Sequence, residues 1–147
     1  MLQPVVIDGI RTPIGKLNGA MKDIQPEEIA AFLLQKICER SHLDIRLLDA
    51  VILGQAKQSS DQPNIARLAA LMTKFPLEVQ AYTVHRQCGS GMQAVQNAAQ
   101  EIMCGYADFV LAGGIESMSN AQYYLREARR GCLLYTSPSP RDRTRSR

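Results

Sequence analysis

"HRQCGSG", residues 85–91, decides how the chain is read. A cysteine and a serine sit among two glycines. The alternating run "VQAYTV" (79–84) precedes them and reads as a strand. A run with helical apolar spacing follows, from about Cys88 to Met103, through Met92, Val95, Ala98, Ala99 and Ile102. Two chemistries fit a strand that turns into a helix this way. Cys88 could be a nucleophile at the positive end of the helix. Alternatively, Gly89-Ser90-Gly91 could open a phosphate cradle in which the cysteine is a bystander.

Outward from that turn the chain alternates between strand-like and helix-like segments. Residues 4–10, "PVVIDGI", read as a short buried strand closed by the turn-rich "RTPIGKLNG". Residues 26–40 read as a helix: Pro26 suits its first position, and Glu27 and Glu28 suit its positive end. "AVILG" (50–54) reads as a second strand, and 63–74 as a second helix. "FVLAGG" (109–114) is apolar throughout and reads as a fourth strand covered on both faces. The order β-α-β-α-β-α-β predicts a mostly parallel sheet in a layered α/β domain.

Bulk properties exclude several classes. No apolar run is long enough to cross a bilayer. The N-terminus lacks the basic and apolar regions of a signal peptide. Cys38, Cys88, Cys104 and Cys132 show no paired metal-type spacing. The expectation is a reduced, cytoplasmic protein without a metal and with no membrane partner. The formal charge is +3, but residues 132–147 hold four arginines and one aspartate and carry all of it. The body of the chain thus offers no electrostatic case for a nucleic-acid partner.

The last sixteen residues, "CLLYTSPSPRDRTRSR", break the pattern. They look like translated sequencing-library adapter read in frame with a gene fragment. The expected organisation is a domain over 1–131 and a non-native, disordered tail over 132–147.

The chemistry of the turn favours the cysteine. N–H groups at a helix start stabilise a thiolate and can hold an oxyanion. Gly89 and Gly91 leave room for a large acyl group to approach the backbone, and Ser90 can satisfy local backbone groups. The dinucleotide reading keeps some force: "GSGMQA" fits G-x-G-x-x-A, and Glu116 follows at roughly the fingerprint's spacing. Against it, Arg86 and Gln87 stand where the fingerprint expects an apolar strand. Metal binding by His85 and Cys88 has too few ligands. Cys38 and Cys104 read as core or boundary residues.

"VIDGIRTPIGKLNGAMKD" (6–23), "VHRQCGSGMQAV" (84–95) and "VLAGGIESMSNAQYYL" (110–125) resemble, in order and spacing, the N-terminal third of a thiolase. The family comprises acetyl-CoA acetyltransferases and 3-ketoacyl-CoA thiolases. The resemblance covers residues 5 to about 131. It implies a layered α/β/α half-core with a mostly parallel, mixed sheet. It implies that Cys88 is the nucleophile, forms an acyl-thioester intermediate, and lends its backbone N–H to an oxyanion hole. The reaction implied is reversible Claisen condensation or thiolysis of acyl-CoA thioesters. Coenzyme A thioesters would be the substrates, with no further cofactor, and the full-length protein would be a homodimer or homotetramer. A ketoacyl synthase-like condensing enzyme is the nearest alternative; "GGIESMSN" favours thiolase. His85 stands where the family has Asn, Ser or Thr, and reads as a packing or interface residue. The Gly-His-Pro and Cys-x-Gly-Gly-Gly segments that supply the family's base and second cysteine are absent from these 147 residues, so the chain alone is expected to be inactive.

Overall fold

The computed structural model describes residues 2–125. Three helices and three strands form its frame. Helix α1 spans Pro26–Ser41, strand β1 Ala50–Gly54, helix α2 Ile65–Met72, strand β2 Gln80–Val84, helix α3 Ser90–Cys104 and strand β3 Val110–Gly114. A 3-10 turn at Ile45–Leu47 leads into β1.

Local chemistry sets the helix ends. Proline begins α1, where its missing N–H costs nothing, and Glu28 Oε2 accepts the Gln25 N–H at 2.9 Å. His42 closes α1 in the left-handed region, at φ 52°. Asn64 caps α2, its Oδ1 accepting the Arg67 N–H at 3.1 Å. Gly105 ends α3 at φ 75°, a conformation that glycine adopts without a Cβ penalty.

All three strands are parallel, in the order β2-β1-β3. Ala50 pairs in register with Gln80 and Val110, and Gly54 with Val84 and Gly114. From β1 the chain crosses by α2 to one neighbour; from β2 it crosses back over β1 by α3 to the other. Crossovers of one hand that run in opposite directions put their helices on opposite faces. Val51 and Leu53 accordingly join α1 and α2 in the larger core, with Leu34, Ile65, Ala66 and Ala69. Ile52 points the other way, to Ala94 and Ala98 of α3. The layered α/β/α architecture is as the sequence predicts.

Three expectations need correction. Residues 4–10 form no strand, and Val5, Val6 and Ile7 are exposed. A β-branched run becomes a strand only beside a partner, and no described residue pairs with it. Second, β3 is half-exposed rather than covered on both faces; β1, flanked on both edges, is the fully buried strand. Third, α3 starts at Ser90, so Cys88 lies before the helix. No antiparallel strand appears among the described residues, so the mixed character of the sheet is not seen there. The proposed boundary at 131 and the tail at 132–147 lie outside the described residues.

Candidate active site

Parallel strands end on the same side, and that side gathers the loops after Gly54, Val84 and Gly114. Backbone bonds join the strand exits: the Gln55 N–H donates to Val84 C=O at 3.1 Å, and the Ile115 N–H to Gly54 C=O at 3.0 Å. Open α/β sheets place their ligand sites at this carboxyl edge.

The turn holding Cys88 is built by Ser90. Its Oγ accepts the Arg86 N–H at 2.8 Å and donates to Gln87 C=O at 2.6 Å. The Gly89 and Ser90 N–H groups close back on Arg86 and Gln87 C=O, each at 3.0 Å. Gln87 takes the left-handed conformation, at φ 49°. Ser90 is buried while Cys88 is exposed. The turn is thus pinned from inside and offers its thiol outward. That thiol makes no hydrogen bond among the described residues. Gly89 is the N-cap, so Cys88 precedes the helix by two residues, still beside its positive end.

The glycines act differently from the sequence reading. A Cβ on Gly54 would lie 2.2 Å from Ser90 C and 2.4 Å from Gly91 N. A Cβ on Gly114 would lie 3.1 Å from Gly91 Cα. Gly54, and less strictly Gly114, therefore let the start of α3 rest on the ends of β1 and β3. Gly91 faces Gly114 rather than open space, whereas Gly89 has only ordinary contacts with Arg86. Sequence reasoning gave Gly54 no role. Its signal was there: a glycine ending an apolar strand marks a close backbone approach.

Glu116 also finds a structural use. Its Oε2 accepts the Ala56 N–H at 2.8 Å and the Lys57 N–H at 3.1 Å, joining the loops after β1 and β3. One oxygen of that carboxylate is thus committed to the loop backbone. His85 is exposed. Cys38 is buried in the larger core, and burial pushes its thiol pKa up, which disfavours the thiolate. Cys104 is exposed at the far end of α3. Among the described residues no group of three or more His, Cys, Asp or Glu gathers as metal ligands, and no helix is long and apolar enough to cross a membrane.

A parallel layered sheet with an exposed cysteine in a Ser-pinned strand-to-helix turn defines a class: α/β proteins whose carboxyl edge presents a thiol. The chain belongs to the thiolase family; the model of the thiolase N-terminal domain matches residues 4–142. It is 41% identical over 130 residues to the 3-oxoadipyl-CoA/3-oxo-5,6-dehydrosuberyl-CoA thiolase of Escherichia coli K12, covering 87% of this chain and 32% of that protein. It is 39% identical over 125 residues to the beta-ketoadipyl-CoA thiolase of Pseudomonas aeruginosa, covering 84% and 31%. The solved structure of the Bacillus anthracis acetyl-CoA acetyltransferase superposes with a TM-score of 0.85 at 43% identity, over 88% of this chain and 33% of that one. The chain spans about a third of the length of the relatives it matches.

Proposed function

We propose that this chain supplies the nucleophile half of a thiolase-type acyltransferase, with Cys88 carrying the acyl group. The observation that supports this most is the exposed thiol of a Ser90-pinned turn at the carboxyl edge, in a chain of the thiolase family. The Cys88 thiolate would attack the carbonyl carbon of an acyl-CoA. The tetrahedral intermediate would collapse to a Cys88 thioester, expelling coenzyme A as a thiolate that takes up a proton. A base supplied by the rest of the protein would take the α-proton of a second acyl-CoA, and the resulting carbanion would attack that thioester, forming the carbon–carbon bond and returning the Cys88 thiolate. Thiolysis is the same sequence reversed.

The position just ahead of α3 lies beside the positive end of the helix, where backbone N–H groups can meet a developing oxyanion. Acyl-CoA thioesters are the substrates under this reading, and no metal or redox group is needed. The base and second cysteine implied by the family resemblance come from segments outside these 147 residues. Assembly as a homodimer or homotetramer, and residence in the cytoplasm, belong to the same proposal for the whole protein.

Incubation with acetyl-CoA followed by peptide mass spectrometry tests it. The expected result is an acetyl group on Cys88, absent in Cys88→Ala, with negligible acetoacetyl-CoA cleavage by the 147-residue chain. Acetylation confined to another cysteine, or none in the full-length protein, would overturn the assignment.

A further inference from the structure

A second polar site lies on the same edge, away from Cys88. The start of α1, the end of β1 and the loops near residues 55–62 and 117–122 enclose a cavity of about 90 Å³. Glu27 and Gln55 both line it. Glu27 is only 8% exposed and Gln55 only 4%. Glu27 Oε1 accepts a hydrogen bond from Gln62 Nε2 at 2.7 Å. Glu27 Oε2 and Gln55 Oε1 are buried and have no partner among the described residues.

Gln122 of the lining is held by the neighbouring loop. Gln122 Nε2 donates to Asp61 Oδ2 at 2.9 Å, and Gln122 Oε1 accepts from the Ser60 N–H and hydroxyl, each at 3.1 Å. Both orphans are therefore oxygen acceptors around one small space. A buried carboxylate oxygen without a donor is costly, so the space calls for a positive charge or donors.

We propose that this cavity binds one monovalent cation of the potassium or ammonium class, through Glu27 Oε2 and Gln55 Oε1. Three observations select that class. The charged residues of the lining are Glu27, Asp61 and Lys57, which together carry one net negative charge. No group of three or more acidic, His or Cys side chains gathers among the described residues, which disfavours a divalent ion. The volume is roughly that of three liquid waters, room for an ion with part of its hydration shell. The positive end of α1 opposes a cation here, so binding depends on the Glu27 charge. This site is independent of the acyl-transfer reading. Its effect is to tie the start of α1 to the loop that leaves β1, whose Gln55 N–H already holds the end of β2.

Thermal melting of the full 147-residue chain tests it, with choline chloride replaced by KCl at fixed ionic strength. The expected result is a saturable rise of the midpoint, about 5 °C at tenfold the dissociation constant. The rise should vanish in Glu27→Gln. As a measurement independent of melting, thallium(I) NMR of the wild-type chain should show line broadening that KCl reverses. Equal midpoints in choline and potassium, with unbroadened thallium, would overturn the proposal and leave waters or another side chain as the occupant. A potassium effect that survives in Glu27→Gln would overturn it equally.

Discussion

At the scale of single residues, Gly54 bears most directly on the candidate site. A Cβ there would meet Ser90 C, Ser90 O and Gly91 N, all at 2.4 Å or less. These are backbone atoms of the turn, not the far ends of flexible side chains, so relief requires moving α3 off the sheet. Gly54→Ala is expected to cost at least about 3 kcal/mol, the upper part of the range for overpacking. Urea denaturation checks it; an unchanged midpoint would contradict the packing described. Gly91→Ala is the contrast. Its Cβ would sit 3.7 Å from Gly114 Cα, ordinary contact, and alanine is the better helix former. Its stability should match or slightly exceed that of the wild type. The cysteines provide a second residue-scale test. Only thiolate reacts with iodoacetamide, and burial both hides the Cys38 sulfur and raises its pKa. The exposed Cys88 is expected to label in the folded chain and Cys38 only on unfolding. Labelling of Cys38 in step with Cys88 at neutral pH would contradict the core placement.

At the scale of elements, β2 and α3 are joined by a polar ladder. Tyr82 OH donates to Glu101 Oε1 at 2.7 Å and accepts from Asn97 Nδ2 at 3.4 Å. Gln93 Nε2 donates to Asn97 Oδ1 at 2.7 Å, and Arg86 Nη1 donates to Gln93 Oε1. Residues 93, 97 and 101 share one face of α3, so the ladder runs from the Cys88 turn to the helix end. Burial first, and the bond to Glu101 second, push the Tyr82 pKa up. A raised folded-state pKa gives stability that is complete below the ordinary tyrosine value of about 10 and is lost as pH rises through the folded value. Tyr82→Phe is therefore expected to cost about 1 kcal/mol at neutral pH, with the gap to wild type narrowing above pH of about 10. Urea midpoints across that range decide it; a pH-independent gap would remove Tyr82 ionisation from the account.

The same scale shows which elements were legible in the sequence. Helix α1 and strand β1 follow from local patterns: a proline start with acidic residues, and a five-residue apolar run. Residues 4–10 carry an equally strand-like pattern, yet a strand exists only where another chain segment accepts its backbone, which no local pattern reveals. Helix α3 starts two residues later than the apolar spacing predicts, because Ser90 bonds back to Arg86 and Gln87. Cys88 itself was legible because glycine, serine and cysteine stand together at a strand-to-helix junction. The pairing of Gly54 with the Ser90 backbone was not, since it joins residues 36 apart in sequence through the fold.

For the molecule as a whole, what the described residues leave uncovered matters most. Met92, Val95 and Met103 lie along an exposed face of α3, and Tyr106 follows it at 84% exposure. At the other end of the described chain, Val5, Val6, Ile7 and Ile14 are exposed as well. Exposed apolar side chains gathered along one helix face suit a contact surface. The chain also spans only about a third of its relatives' length. The 147-residue chain is therefore expected to self-associate in the micromolar range, seen as concentration-dependent sedimentation. Charge on the outer face of α3 should reverse this without unfolding the domain, because Met92 and Val95 contribute little to its core. Met92→Lys combined with Val95→Glu is expected to move the sedimentation coefficient toward the monomer while the far-UV circular dichroism is kept. If the wild-type chain stays monomeric at all concentrations and melts cooperatively, the α3 face needs no cover. If the double variant associates as before, the contact lies instead on the apolar segment around Val5–Ile7.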